Sequence, residues 1–190
     1  VGVPVSKIVE MPTGVEIKTL ADGIMPTNDV TRFVYLGRYE RRKGIEELNQ
    51  AIRMLDQETR AKAEFHFIGP IAPARQIAGC IYHGAVTEPV HLRRLLRGCD
   101  GLVCPSWSEG MPNVILEAMS QGLGVNATNV GATSAMVHQG SGWLLARPDP
   151  KRLKETIAAV IALPRGDIDE KKHNALRLAG SEFVWEHIAP

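Results

Sequence analysis

Apolar and polar positions fall into alternating blocks along this chain of 190 residues. Short, almost continuous apolar runs lie at 32–37 (RFVYLG), 63–69 (AEFHFIG), 81–84 (IYHG), 101–106 (GLVCPS), 123–128 (LGVNAT) and 142–146 (GWLLA). Their length and lack of alternation read as strands buried on both faces. Between them lie segments with helical spacing. Residues 44–58 place Ile45, Leu48, Ile52 and Leu55 on one stripe. Residues 88–99 open with Pro89 in the first turn, and 111–122 have Pro112 near the first helical position and Gly122 at the end. Helices are also expected at 149–164 and 167–179. Strand alternating with helix predicts an α/β fold, a Rossmann-like doubly wound parallel sheet with helices on both faces. Such sheets bind ligands at the carboxyl ends of their strands. The loops after Gly37, Gly69, Gly84, Ser106 and Thr128 are therefore the candidates. Residues 1–30 differ, with Pro4, Pro12, Gly14, Gly23 and Pro26 and no clear period, and read as an interdomain connecting segment.

Charge narrows the partners. The formal net charge is +1, so no overall field steers the chain to nucleic acid or to an anionic membrane. No apolar stretch approaches the roughly 20 residues of a spanning helix. The start lacks the pattern of a signal peptide. The chain begins at Val1 and is expected to be part of something longer. Cys80, Cys99 and Cys104 are an odd set without metal-ligand spacing, which points to reduced, structural thiols in a cytoplasmic protein. The histidines form no ligand cluster, and no Asp-x-Asp stands at a strand end, so no metal and no cofactor are expected.

Two stretches carry candidate chemistry. In GRYERRKG (37–44) Gly37 allows a tight turn, and Arg38 and Lys43 place two cations at the sheet's carboxyl edge. They suit a diphosphate; the alternative is a solvated basic loop, since Arg41 and Arg42 lie between them. In WSEGMPNVILEAM (107–119) Glu109 precedes a helix and Glu117 lies roughly one and a half turns inside it. Gly110 allows close approach to the backbone, and the helix start offers free N–H groups to an anion. Glu109 can accept from ligand hydroxyls. Glu117, among Val114, Ile115, Leu116, Ala118 and Met119, is either ordinary helix charge or an acceptor for a vicinal diol such as a ribose.

These residues bring a family into view. SEGMPNVILEAMSQG resembles the paired-glutamate signature of the family 4 (group 1) glycosyltransferases, two glutamates separated by seven residues. KIVEMPTGVE (7–16) resembles the family's interdomain crossing, FVYLGRYERRKGIEELNQAI its Gly-Arg…Lys-Gly loop, and HLRRLLRGCDGLVCPSWSEG the approach to the signature. EFHFIG and YHGAV are similar to the next strand ends, HQGSGWLLARPDPKRLKETIAAVI to the following strand and helix, and FVWEHIA to the closing helix. The likeness covers nearly the whole chain, in order.

The resemblance implies one half of a GT-B arrangement: 1–30 connecting, 31–180 the nucleotide-sugar-binding Rossmann-like domain, 181–190 the start of a closing helix. It implies that Arg38 and Lys43 hold a diphosphate and that Glu109 binds the transferred sugar. Gly37, Gly110, Met111 and Asn113 would lie along the donor, Glu117 would take the ribose, and the Val86 backbone would meet the base. The implied substrate is a UDP-, GDP- or ADP-linked sugar. The implied reaction is metal-independent hexosyl transfer with retention to a glycan or lipid-linked sugar. The acceptor domain would precede Val1, and through it the whole protein could lie peripherally on the inner face of a membrane. Thr13, Pro70, Gly124, Ala132 and Ala135 depart from the family's common residues. Rival readings are a non-catalytic nucleotide-sugar-binding module and a related nucleotide-sugar epimerase. A dehydrogenase would need G-x-G-x-x-G after the first strand, and LGRYERRKG lacks it.

Overall fold

Strands that are apolar on every side need cover on both faces, and they receive it. The computed structural model describes residues 13–17 and 30–188. Six strands, β1 (Thr31–Leu36), β2 (Ala63–Ile68), β3 (Ile81–Tyr82), β4 (Gly101–Cys104), β5 (Gly124–Thr128) and β6 (Gly142–Leu145), form one sheet in the order β3-β2-β1-β4-β5-β6. Every pairing is parallel. β4 and β5 are buried at every position, as continuous apolar runs require. The helices are α1 (Ile45–Arg53), α2 (Gln57–Ala61), α3 (Pro89–Arg97), α4 (Asn113–Met119), α5 (Thr133–Met136), α6 (Pro150–Ile161), α7 (Arg165–Glu182) and α8 (Trp185–Ile188).

Alternate residues of each strand feed two cores. Phe33, Phe65, Phe67 and Val103 pack with Leu48, Ile52 and Ile157 of α1 and α6. Val34, Leu102 and Val125 pack with Leu116, Met119 and Ala175 of α4 and α7. Each large side chain so buried stabilises the fold by about 1.5–3 kcal/mol. Beneath the sheet's amino edge, buried Asp100 accepts from Arg32 N (2.8 Å), from Arg165 and from buried Lys172 (both 3.2 Å). This network ties α7 to the start of β4.

The order of strands reverses beside β1: β2 lies on one side and β4 on the other. The loops leaving β1 and β4 therefore diverge from one crevice, the place where open α/β sheets bind ligands.

The predicted strands all form. The helices differ in detail. The segment 44–58 is two helices, because Asp56 caps α2 by accepting from Thr59 N at 2.9 Å. The 111–122 segment is helical only over Asn113–Met119; Pro112 stands at its cap, and Gly122, at φ +76°, ends the turn that follows. α7 extends beyond 167–179 at both ends. The single turn α5 is too short to show a period. Most of the connecting segment (1–12 and 18–29), with the calls made on it, lies outside the described residues. Its described part packs on the chain's other end: Val15 bridges to Val184 in parallel and donates to Phe183 O at 2.6 Å.

Candidate functional site

The turn after β1 is built to meet the loop after β4. Buried Tyr35 donates its hydroxyl to Arg38 O at 2.8 Å, and burial pushes its pKa far above the phenol range. Glu40 then accepts from the Nε atoms of both Arg38 and Arg42, each at 2.9 Å. A single 3-10 turn, Arg41–Lys43, leads into Gly44 at φ +66°. A methyl group at Gly44 would collide with the Pro105 carbonyl, so only glycine lets the two loops close. Trp107 N donates to Arg42 O at 2.8 Å across the same junction.

This junction positions Glu109. Lys43 Nζ lies 2.7 Å from Oε1, and Ser106 Oγ donates to the same oxygen at 2.7 Å. Arg42 Nη1 stands 3.6 Å from Oε2. The Glu109 side chain is only 7% exposed and Lys43 only 17%, so this is a desolvated, compensated pair at the crevice. The loop after β5 closes on the other flank: Ala132 N donates to Gly110 O at 2.8 Å, and the Thr128 hydroxyl to Ser106 O.

Glu117 is placed quite differently. It lines a cleft of about 320 Å³ between α3 and α4, with Thr87, Leu92 and Arg93 on one side and Val15 and Glu16 on another. Its carboxylate has no hydrogen bond or ion pair among the described residues, and burial raises its pKa. A half-buried carboxylate without donors is costly unless something else supplies them.

The structure thus brings Lys43 and Glu109 together. Arg38 is 67% exposed and reaches Glu40, not Glu109. Gly37 donates to Ile68 O at 2.9 Å, which holds the β1 and β2 loops side by side. Val86 is half-buried against the core face that carries Leu102. Met111 Sδ accepts from Thr13 N at 3.1 Å, and Asn113 is exposed. Sequence reasoning missed Arg42 and Ser106. Arg42 was hidden in a basic run, and Ser106 looked like the end of a strand. Among the described residues there is no group of three or more His, Cys, Asp or Glu placed to hold a metal ion, and no helix long and apolar enough to cross a membrane. All three thiols are free; burial pushes Cys99 up to about 12 and Cys104 up to about 11.

Residues 30–162 match the family described as Glycosyl transferases group 1. Over 125 residues the chain is 38% identical to the putative teichuronic acid biosynthesis glycosyltransferase TuaC of Bacillus subtilis strain 168, covering 65% of this chain and 31% of TuaC. The fold matches the C-terminal domain of a glycosyl transferase group 1 family protein, LpcC of Francisella tularensis. That match has a TM-score of 0.70 and 20% identity, over 82% of this chain and 87% of that one. It also matches Anabaena HepE, solved with UDP and glucose, with a TM-score of 0.68 and 18% identity over 84% of this chain and 46% of that one. The chain spans about a third of the length of TuaC and about half that of HepE. A six-stranded parallel sheet with its crevice at β1 and β4, shared with GT-B enzymes, and a match over most of its length lead to one assignment: the chain belongs to the group 1 glycosyltransferases.

Proposed function

We propose that this chain is the donor-binding half of a retaining glycosyltransferase and binds a nucleoside diphosphate sugar across the β1–β4 crevice. The observation that carries the reading is the contrast between the two glutamates. Glu109 is compensated at the crevice, whereas Glu117 is a half-buried acceptor with no donor among the described residues. A ribose diol would supply the missing donors. Thr87 on the rim of the same cleft puts the Val86 backbone within reach of a base. The HepE structure holds UDP and glucose, which supports a nucleotide sugar as the ligand class.

In this reading the diphosphate lies over the turn after β1. Arg38, exposed and adaptable, and Lys43 hold its oxygens. The bond from the anomeric carbon to the phosphate oxygen breaks, and its electron pair leaves on the diphosphate. The two cations stabilise that charge without a metal. α4 is only seven residues long, so its dipole adds less than the side chains do. Glu109 accepts from hydroxyls of the departing sugar while Lys43 holds it in place. Gly37, Gly110, Met111 and Asn113 line the path. The acceptor hydroxyl then bonds to the anomeric carbon with retention, its O–H bond breaking and its proton passing to the departing diphosphate oxygen. The acceptor is a glycan or a lipid-linked sugar; teichuronic acid synthesis in the TuaC name supports polysaccharide chemistry, at the cytoplasmic side. The acceptor domain is contributed by sequence outside this chain, so the chain alone binds donor but does not transfer. Attack geometry between two bound substrates is worth up to roughly 7–11 kcal/mol, and one wall cannot provide it.

Calorimetry with UDP, GDP and ADP against their monophosphates tests the reading. At least one diphosphate should bind more tightly than its monophosphate. Equal affinity within all three pairs, or no binding, would refute it.

A further inference from the structure

Trp107 stands two residues before Glu109 and is 44% exposed. Its position is fixed by its backbone bond to Arg42 O. The Arg41 guanidinium lies over the indole, 4.8 Å from the ring centroid. Arg41 is also tied to Glu47, on the first turn of α1, whose side chain is 9% exposed. The guanidinium is thus held by two partners, yet the Arg41 side chain stays 68% exposed. The other cations of the turn are engaged elsewhere. Arg38 and Arg42 share Glu40, and Lys43 and Arg42 face Glu109. Arg41 has no part in the diphosphate arrangement above.

We propose that Trp107 and Arg41 form a subsite for a sugar ring that carries a carboxylate. This rests on the donor-site reading and narrows its substrate. An indole offers a rigid apolar platform for the C–H face of a pyranose at little entropic cost. A guanidinium that is already oriented takes a carboxylate through two parallel N–H bonds. A neutral sugar finds the platform alone. The carboxylate has two sources, the sugar being transferred or the acceptor glycan.

Calorimetry on the 190-residue chain separates them. The donor arm compares the glucuronate and glucose conjugates of whichever nucleoside diphosphate the wild-type chain prefers. The acceptor arm compares trigalacturonate with maltotriose. In one arm the carboxylated compound should bind about tenfold tighter than its neutral counterpart, the scale of a charge-assisted pair. Trp107→Ala and Arg41→Gln should each remove that preference and leave the affinity for the bare nucleoside diphosphate unchanged. Trp107→Phe should keep most of it. Equal affinities in both arms, no sugar binding in either, or a preference that survives both substitutions would overturn the proposal. Loss of nucleotide binding in the wild-type chain is a different result and counts against the donor-site reading itself.

Discussion

Replacing Glu117 with glutamine should weaken nucleotide binding and stabilise the protein. The two effects share one cause. The Glu117 carboxylate is half-buried, lacks a donor among the described residues, and has its pKa raised by burial alone. Its folded pKa lies above its unfolded value, so as pH rises from about 4.5 the unfolded chain releases the proton first. Within that window the native state holds more protons, and stability falls as pH rises. The loss grows from the unfolded pKa upward and is complete once pH passes the folded pKa. Glutamine removes it. A melting series should show Glu117→Gln above wild type at pH 7, with the gap closing toward pH 4. Binding moves the other way. A neutral amide offers one weaker acceptor to the ribose, and losing a hydrogen bond to a charged group costs on the order of 1.5–3 kcal/mol. That is about a tenfold to 150-fold rise in Kd for a nucleoside diphosphate. Glu109→Gln is the internal control. Glu109 is paired with Lys43 at 2.7 Å and accepts from Ser106, so its loss should lower the melting temperature. A Glu117→Gln protein that melts lower than wild type and binds nucleotide as before would refute the reasoning on both counts.

Other consequences are open to direct measurement. Asp100→Ala removes the acceptor shared by Arg32 N, Arg165 and buried Lys172, and denaturant unfolding should show a loss of about 3–5 kcal/mol. Gly131, at φ +56°, would press a methyl group onto the Glu109 and Gly110 carbonyls; Gly131→Ala should lower the denaturation midpoint and nucleotide affinity together, by more than about 1 kcal/mol in stability. Gly166, in the first turn of α7 with nothing near the added carbon, should gain up to about 0.5 kcal/mol as alanine, the low end of the effect in a helix interior. Iodoacetamide at neutral pH should label Cys80 slowly, and label Cys99 and Cys104 only in unfolded protein, because burial raises all three thiols and most strongly the latter two.

The sheet was legible because its strands are nearly continuous apolar runs, broken at few positions such as Arg32, Glu64 and Asn126, which is the pattern of a parallel sheet covered on both faces. The helix ends were less so. Asp56 reads as one more polar residue on an amphipathic stripe until its side chain is seen to cap Thr59, which splits the helix. The signature singles out Glu109 and Glu117 together, but one glutamate looks like another in a string of letters. Their difference comes from Lys43 and Ser106, which reach Glu109 from separate loops, and from α3, which buries Glu117. Such contacts arise only on folding. Arg42 shows the same limit: within RRK nothing distinguishes the residue that faces Glu109 from Arg41, which turns to Trp107.

The bridge between Val15 and Val184 bears on how the protein is made. Val15 and Glu16 wall the Glu117 cleft, yet they are held there by Phe183 and Val184, near the opposite end of the chain. On the ribosome the first wall emerges long before its support. Closing so large a loop is slow and entropically costly, so the cleft is among the last features to be completed. A nascent chain already carries Lys43 and Glu109 on the loops after β1 and β4 while the Val15–Glu16 wall of the Glu117 cleft still lacks its support. Under the proposed donor-site reading, nucleotide would therefore favour the finished domain by mass action but would not template the early half.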